Sequence, residues 1–150
     1  MMFEIREIPD QPVAVLRAAT PAAELGSVID KTFSSLFGRL GESGVAPSGP
    51  PFVRYLETGD ELRVELGVPV PAEAADLDGI ERSALPGGCV AVWRHVGPYS
   101  ELRAACARFE QSVEQLGEQA DGPFWESYVT NPATEPDASK RVTEIYQPLR

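Results

Sequence analysis

The chain has 150 residues, of which 43% are hydrophobic, a composition typical of one compact soluble domain with its own core. Its formal net charge is −10 and its 13 Lys and Arg residues are dispersed, which argues against a phosphate-binding surface and predicts no direct binding to nucleic acid. No stretch approaches the about 20 apolar residues of a membrane span, and the charged N-terminus lacks a signal-peptide core, so we expect a cytoplasmic protein outside the membrane.

The first half of the sequence predicts two strands, a helix and a hairpin. The helix is expected to begin at Pro21 with Thr20 as its N-cap, to carry an apolar stripe at helical spacing, and to end at Gly41 and Gly44. Strands are predicted before it at residues 2–8 and 13–17, and after it at 52–57 and 62–70.

The second half repeats this order after a connector rich in Pro, Ala and Asp. Strands are predicted at residues 80–85 and 89–96, a helix from Pro98 to Gly117, and a last hairpin at 124–130 and 142–146.

Matching residues relate the two halves. Residues 13–17 (Val-Ala-Val-Leu-Arg) match 90–94 (Val-Ala-Val-Trp-Arg), 49–55 match 122–128, and 64–66 match 143–145, at a period of about 75 residues. The sequence therefore predicts a tandem duplication of a strand-helix-hairpin unit within one domain, 1–150, with halves at about 1–70 and 80–150.

This duplication predicts an α+β fold. Each unit has one helix to cover one face of its strands, so two units related by a pseudo-twofold axis are expected to form a mostly antiparallel sheet with the helices on one side. The other side is then expected to hold a ligand cleft between the halves.

The predicted strand around Glu126 combines aromatic residues with one carboxylate. Alternation places Phe124, Glu126 and Tyr128 on one face, and the first half has Val53 and Tyr55 at the last two of these positions. A carboxylate in an apolar cleft is costly unless hydroxyls, a cationic ligand or an upward pKa shift compensates it. Glu126 is therefore the main candidate for a ligand site, the alternative being a side chain that faces solvent or caps a turn.

Three further residues are weaker candidates. Glu144 and Tyr146 share a face of the last strand and would add a second acid and an aromatic to the cleft, but Glu65 at the matching position favours an exposed role equally well. Trp93 stands where the first half has Leu16, and it either lines the cleft or fills the core.

The sequence predicts neither a metal site nor a cofactor. His95, the one histidine, has no ligand cluster around it and is expected to hydrogen-bond the backbone at the entry of the second helix. Cys89 and Cys106 are expected to be reduced residues of the core.

Several motifs of the second half carry a resemblance to a known family. They are His95-Val96-Gly97-Pro98-Tyr99, the segment 122–128 (Gly-Pro-Phe-Trp-Glu-Ser-Tyr), Pro132, Pro136-Asp137, and the segment 143–149 (Thr-Glu-Ile-Tyr-Gln-Pro-Leu). With these motifs in this order, the whole chain resembles the GyrI-like family of AraC-type effector-binding domains.

The resemblance implies two related halves with a hydrophobic ligand cleft between them. Some members of the family sense drugs for transcription factors and use a buried glutamate to bind lipophilic cations, whereas others are a DNA gyrase inhibitor or hydrolases of cyclopropane-containing genotoxins. The sequence has no helix-turn-helix segment, so it is expected to act as a stand-alone member.

Three functions follow from the residues and the resemblance together. The first is binding of a hydrophobic, often cationic or planar small molecule, with ligand contacts from Glu126, Tyr55, Tyr128, Phe124, Trp93, Tyr146 and Glu144. The second is hydrolysis of a strained electrophile with Glu126 and Tyr128 as catalytic residues. The third is interaction with a protein such as gyrase, which only the acidic charge favours, so the sequence leaves open whether the protein is an enzyme.

Overall fold

The computed structural model describes residues 3–74, 77, 79–130 and 134–150, so the motif residue Pro132 lies outside the described residues. The chain divides into two compact units. We call Asp10–Pro86 the N-terminal unit, and Met1–Pro9 together with Gly87–Arg150 the C-terminal unit.

The elements within the described ranges follow the predicted order. They are strand β1 (Glu4–Ile8), strand β2 (Gln11–Pro21), helix α1 (Leu25–Ser43), strands β3 (Phe52–Glu57), β4 (Glu61–Pro69), β5 (Glu81–Leu85) and β6 (Gly88–Val96), helix α2 (Leu102–Gln115), and strands β7 (Trp125–Tyr128) and β8 (Val142–Pro148). The predicted α+β class is confirmed, and the described strands pair antiparallel.

No helix among the described residues is long and apolar enough to cross a bilayer.

The prediction that Thr20 caps the first helix is wrong. Strand β2 continues through Pro21, and Thr20 is buried in it opposite Leu62 of β4. A 3-10 turn, Ala22–Glu24, then leads into α1, whose N-cap position has no side-chain cap bond. The sheet ladder outcompetes the cap here because the β-branched, buried threonine fits a strand as well as it fits a helix start.

The N-terminal unit is a four-stranded antiparallel sheet in the order β5-β2-β4-β3, covered by α1. Its core joins Leu36 and Leu40 of the helix to Ala14 of β2 and Val68 of β4. The amphipathic stripe predicted from the sequence therefore packs on one face of this sheet.

The C-terminal unit has the same plan, with the order β1-β6-β8-β7 and helix α2. Phe109 and Val113 of α2 pack with Ala91 of β6 and Ile145 of β8. We call the sheet face that packs against the unit's own helix the helix face, and the opposite face the open face.

One edge strand of each sheet pairs with a strand other than the next one along the chain. β1 precedes β2 in the chain but pairs with β6, and β5 precedes β6 but pairs with β2. The two pairings have matching registers, with Val92 opposite Glu4 and Val15 opposite Glu81. The sequence order alone does not reveal this exchange.

The cross-strand rows of the two units correspond residue by residue, which confirms the duplication. On the helix faces, the rows Leu16–Leu66–Val53 and Ala18–Val64–Tyr55 of the N-terminal unit correspond to Trp93–Ile145–Glu126 and His95–Thr143–Tyr128 of the C-terminal unit.

Gly67 shows how a matched position on the open face has diverged between the units. It lies in β4 opposite Phe52 and matches Tyr146 of β8, which lies opposite Trp125. In the N-terminal unit the Phe52 ring and the neighbouring strand leave no room for a side chain at this position.

Replacing Gly67 with alanine is therefore expected to lower the free energy of unfolding by about 1–3 kcal/mol. The added Cβ would lie 2.6 Å from the Ala14 carbonyl oxygen and 2.9 Å from the Phe52 ring. Gly38→Ala, on the exposed side of α1 with no described atom within 4 Å of its added Cβ, is the control and should raise stability by about 0.5–1 kcal/mol. Urea unfolding measures both, and a Gly67→Ala variant as stable as wild type would contradict the packing described here.

Candidate functional site

Glu126 lies on the helix face of the C-terminal unit. Its strand partner is Ile145, which packs with Phe109 and Val113 of α2 in the core. The Glu126 residue is 7% exposed. The carboxylate therefore does not lie on the sheet face opposite the helices, where the ligand cleft was expected, because the register between β7 and β8 turns it towards α2.

Two neutral groups contact the two oxygens of this carboxylate. The Tyr128 hydroxyl donates a hydrogen bond to Oε2 at 2.9 Å, and the Cys106 thiol of α2 donates a longer one to Oε1 at 3.8 Å. Phe124, Glu126 and Tyr128 were predicted to share a face, and the structure places Glu126 and Tyr128 in contact while Phe124 packs against the core beneath α2.

The ring of Tyr128, which contacts Glu126, packs against a second aromatic ring. The half-buried ring of Tyr128 meets Tyr99 edge to face with 5.7 Å between their centroids. The Tyr99 hydroxyl donates to the Thr130 carbonyl oxygen at 3.3 Å, and the Arg141 guanidinium lies 5.4 Å from the Tyr99 ring centroid. Burial raises the pKa of Tyr99, an effect that the charge of Arg141 opposes.

Trp93 also lies on the helix face, in the row of Glu126. Its ring stacks on Phe109 of α2 at 6.1 Å between centroids and tilts against His95 at 5.5 Å. The buried His95 places Nε2 3.4 Å from the Pro98 carbonyl oxygen, in agreement with the predicted contact at the helix entry. Trp93 thus takes part in the core packing and lies one strand away from Ile145, the partner of Glu126.

Glu144 and Tyr146 lie on the open face, away from Glu126. Tyr146 stacks on Trp125 with 5.3 Å between centroids and donates its hydroxyl to Glu144 at 3.2 Å. Glu144 also pairs with Arg94 at 3.4 Å. Burial, followed by the charge of Glu144, raises the pKa of Tyr146. The predicted site residues of this unit therefore form two clusters rather than one.

Tyr55 belongs to the N-terminal unit, where it is half-buried on the helix face opposite Val64. The structure thus brings Glu126, Tyr128, Phe124 and Trp93 to one sheet face of the C-terminal unit.

Sequence reasoning missed the contacts that α2 makes to the carboxylate. Cys106 was expected only as core, and Tyr99 was not proposed as a site residue, yet Cys106 contacts Glu126 and Tyr99 contacts Tyr128. The position of Cys106 on the apolar stripe of α2 was the available signal. Among the described residues, no three His, Cys, Asp or Glu side chains come together as a metal site would require.

Burial and this carboxylate together determine the acidity of Cys106. Burial first, and then the negative charge and hydrogen bond of Glu126, raise the pKa of the Cys106 thiol to about 12. The thiol therefore stays protonated across the physiological range and serves as a hydrogen-bond donor rather than a nucleophile.

Comparison with known proteins identifies the class. The fold is that of several solved structures, each below 25% identity. The EcmrR C-terminal domain has 22% identity and a TM-score of 0.86 over 99% of this chain and 97% of its own. In an EcmrR–DNA complex, this chain spans 57% of the EcmrR chain.

Two more distant relatives share the fold. SAV2435, solved with tetraphenylphosphonium, has 12% identity and a TM-score of 0.73, covering 100% of this chain and 94% of its own. A hydrolase from Listeria innocua has 16% identity and a TM-score of 0.63, covering 99% and 91%. Among curated proteins, none matches the sequence of this chain.

The sequence model of one protein family, the GyrI-like small molecule binding domain, matches residues 1–150, the whole chain. The chain belongs to the GyrI-like family of small-molecule-binding domains, as the motifs of its second half predict.

Because Glu126 raises the pKa of Cys106, thiol alkylation reports on their contact. In a Cys89→Ser background, iodoacetamide at pH 9 should modify Cys106 roughly a hundredfold or more slowly in the folded than in the unfolded chain. Glu126→Gln should speed the reaction of the folded protein, whereas Glu144→Gln, on the open face, should not. Equal rates for the two folded variants would show that Glu126 does not act on this thiol.

Proposed function

We propose that this chain binds a hydrophobic cation at Glu126, on the helix face of its C-terminal unit. One observation carries the proposal: a carboxylate that is 7% exposed lies between a sheet and a helix, in contact with a phenol and a thiol. Membership of a small-molecule-binding family supports a ligand at such a position.

Electrostatics favours a cation as this ligand. Moving an ionised carboxylate out of water costs free energy, and hydrogen bonds from neutral donors offset only part of that cost. A cation that reaches Glu126 also interacts with it more strongly than it would in bulk water, because the effective dielectric constant is lower there. Binding energy is thus concentrated on the positive charge of the ligand.

The surrounding rings suit an apolar body around that charge. The half-buried rings of Tyr128 and Tyr99 pack edge to face, and Phe124 and Trp93 pack against the core of the same unit. A cation over an aromatic face gains about 0.5–2 kcal/mol. Aryl and quaternary cations therefore fit these side chains better than small hydrated ions.

The contact that a ligand displaces most readily is that of Cys106. Its hydrogen bond to Glu126 is long, 3.8 Å, and comes from a neutral thiol. The Tyr128 bond, at 2.9 Å, can persist on the other oxygen while a cation approaches Oε1. Binding is therefore expected to displace the Cys106 side chain from Oε1 of Glu126.

Tetraphenylphosphonium is the first probe to use. It is a hydrophobic cation with four aryl groups, and SAV2435, which shares the fold, has been solved with it bound. Lipophilic cations of other shapes extend the series.

Glu126→Gln should weaken binding of tetraphenylphosphonium roughly 10- to 100-fold, because it removes the charge while keeping a side chain of the same size. Glu144→Gln is the matched control on the open face of the same unit and should leave the affinity unchanged. Isothermal titration calorimetry measures both. No binding to wild type, or equal affinities for wild type and Glu126→Gln, would refute the proposal.

A second candidate function is hydrolysis of a strained electrophile. The hydrogen bond between Tyr128 and Glu126 favours it, because a carboxylate can activate water as a general base while a phenol polarises the leaving group. The likeness to the Listeria innocua hydrolase supports a fold able to host such chemistry. Both candidates place the ligand at the same carboxylate, and turnover separates them.

If the chain is a hydrolase, a cyclopropane-bearing genotoxin should give its ring-opened product faster with wild type than with buffer. Glu126→Gln and Tyr128→Phe should each slow the reaction, by roughly 100-fold or more for loss of a general base. Liquid chromatography with mass spectrometry follows the product. A wild-type rate equal to that of Glu126→Gln would exclude catalysis by this carboxylate.

A further inference from the structure

The row His95–Thr143–Tyr128 contains one hydroxyl, that of Thr143, that is not used in any hydrogen bond among the described residues. Thr143 is 0% exposed, and its Oγ1 has no hydrogen-bond partner among the described residues. Buried hydroxyls are nearly always hydrogen-bonded, and an unsatisfied one costs about 1–3 kcal/mol. Thr143 therefore carries a cost that needs an explanation.

The duplication shows that packing does not require this hydroxyl. Val64 occupies the equivalent position in the N-terminal unit, between Ala18 and Tyr55, and is also fully buried. Valine has almost the same shape as threonine without the polar atom. A β-branched residue is thus what the sheet needs here, and the oxygen of Thr143 is an addition specific to the C-terminal unit.

Thr143 lies beside the candidate site. It is paired with Tyr128, whose hydroxyl holds Glu126, and it is two residues from Ile145, the strand partner of Glu126. Diagonal neighbours of this kind lie about 7–8 Å apart in an antiparallel pair. This distance is close to the length of one substituted aryl ring.

The polar residues that distinguish the C-terminal unit from the N-terminal unit lie next to one another in the sheet. Glu126 replaces Val53, Thr143 replaces Val64 and His95 replaces Ala18, all on the helix face and in adjacent rows. One replacement would be unremarkable for a buried face, but three in neighbouring positions indicate a polar site built into one unit.

We propose that Thr143 is a ligand-binding residue that hydrogen-bonds a polar substituent of the cation held by Glu126. The inference rests on the proposed function, and it names the ligand class: aryl cations that carry a hydroxyl or a similar hydrogen-bonding group about one ring away from the charge. A cation without such a group leaves the threonine oxygen unsatisfied, so the hydroxyl favours one class of ligand over another.

The test compares tetraphenylphosphonium with its three monohydroxy derivatives, in which one phenyl ring carries the hydroxyl at the 2, 3 or 4 position. Wild type should bind at least one derivative roughly 3- to 10-fold more tightly than the parent cation. Thr143→Val should abolish this preference, so that it binds the derivatives no more tightly than the parent, whereas Thr143→Ser should keep it.

Stability provides the second readout. Thr143→Val should unfold at the same temperature as wild type or a higher one, because it removes a buried hydroxyl that has no hydrogen-bond partner among the residues that the structure describes. Val64→Thr is the matched control in the N-terminal unit; it should lower the unfolding temperature and leave the ligand preference intact. A marked loss of stability in Thr143→Val would mean that the hydroxyl has a structural role, and would overturn the proposal.

The outcomes separate this inference from the proposed function. If the parent cation binds in a manner that depends on Glu126 but no derivative is preferred, or if Thr143→Val keeps the preference, then the role of Thr143 is refuted while the site at Glu126 stands. If neither the parent nor any derivative binds wild type, both proposals fall.

Discussion

The pairing of Glu126 with Ile145 across β7 and β8 is the constraint on which the site depends. Side chains alternate along a strand, so a shift of one residue in this register would move the carboxylate to the open face and send Trp125 or Ser127 towards α2. The register is held by Ile145 in the core and by the Trp125–Tyr146 stack on the other side. Apolar packing on both faces of β7 therefore determines that its one charged residue, Glu126, faces α2.

The duplication explains how the fold tolerates this charge. The N-terminal unit keeps valine at the positions of Glu126 and Thr143, and its helix face is closed by the core around Leu36 and Leu40. A buried carboxylate and a buried hydroxyl lower the stability of the unit that holds them. With two units of the same plan, one can remain an apolar core while the other accommodates the polar groups that we propose bind a ligand.

The sequence predicted the elements and the repeat well, because hydrophobic periodicity and matched motifs are local signals. It did not predict that β1 pairs with β6 and β5 with β2, since strand pairing over such distances leaves no trace in a single sequence. Alternation correctly grouped Glu126 with Tyr128, but it cannot say which face a helix will cover. For the same reason Cys106 and Thr143 were not recognised as neighbours of the carboxylate.

The open faces show why Glu144 differs from Glu126 although both are acids on adjacent strands. Glu65, its counterpart in the N-terminal unit, is buried and lies within 3.0 Å of Arg17 and 3.5 Å of Arg54. Glu144 keeps the equivalent of the first pair, with Arg94, and gains the Tyr146 hydroxyl. An ion pair retained at the same register in both units is accounted for by the stability of the sheet. Glu126 has no acidic counterpart in the other unit, so the duplicated fold does not require it, and its carboxylate calls for an explanation outside the fold.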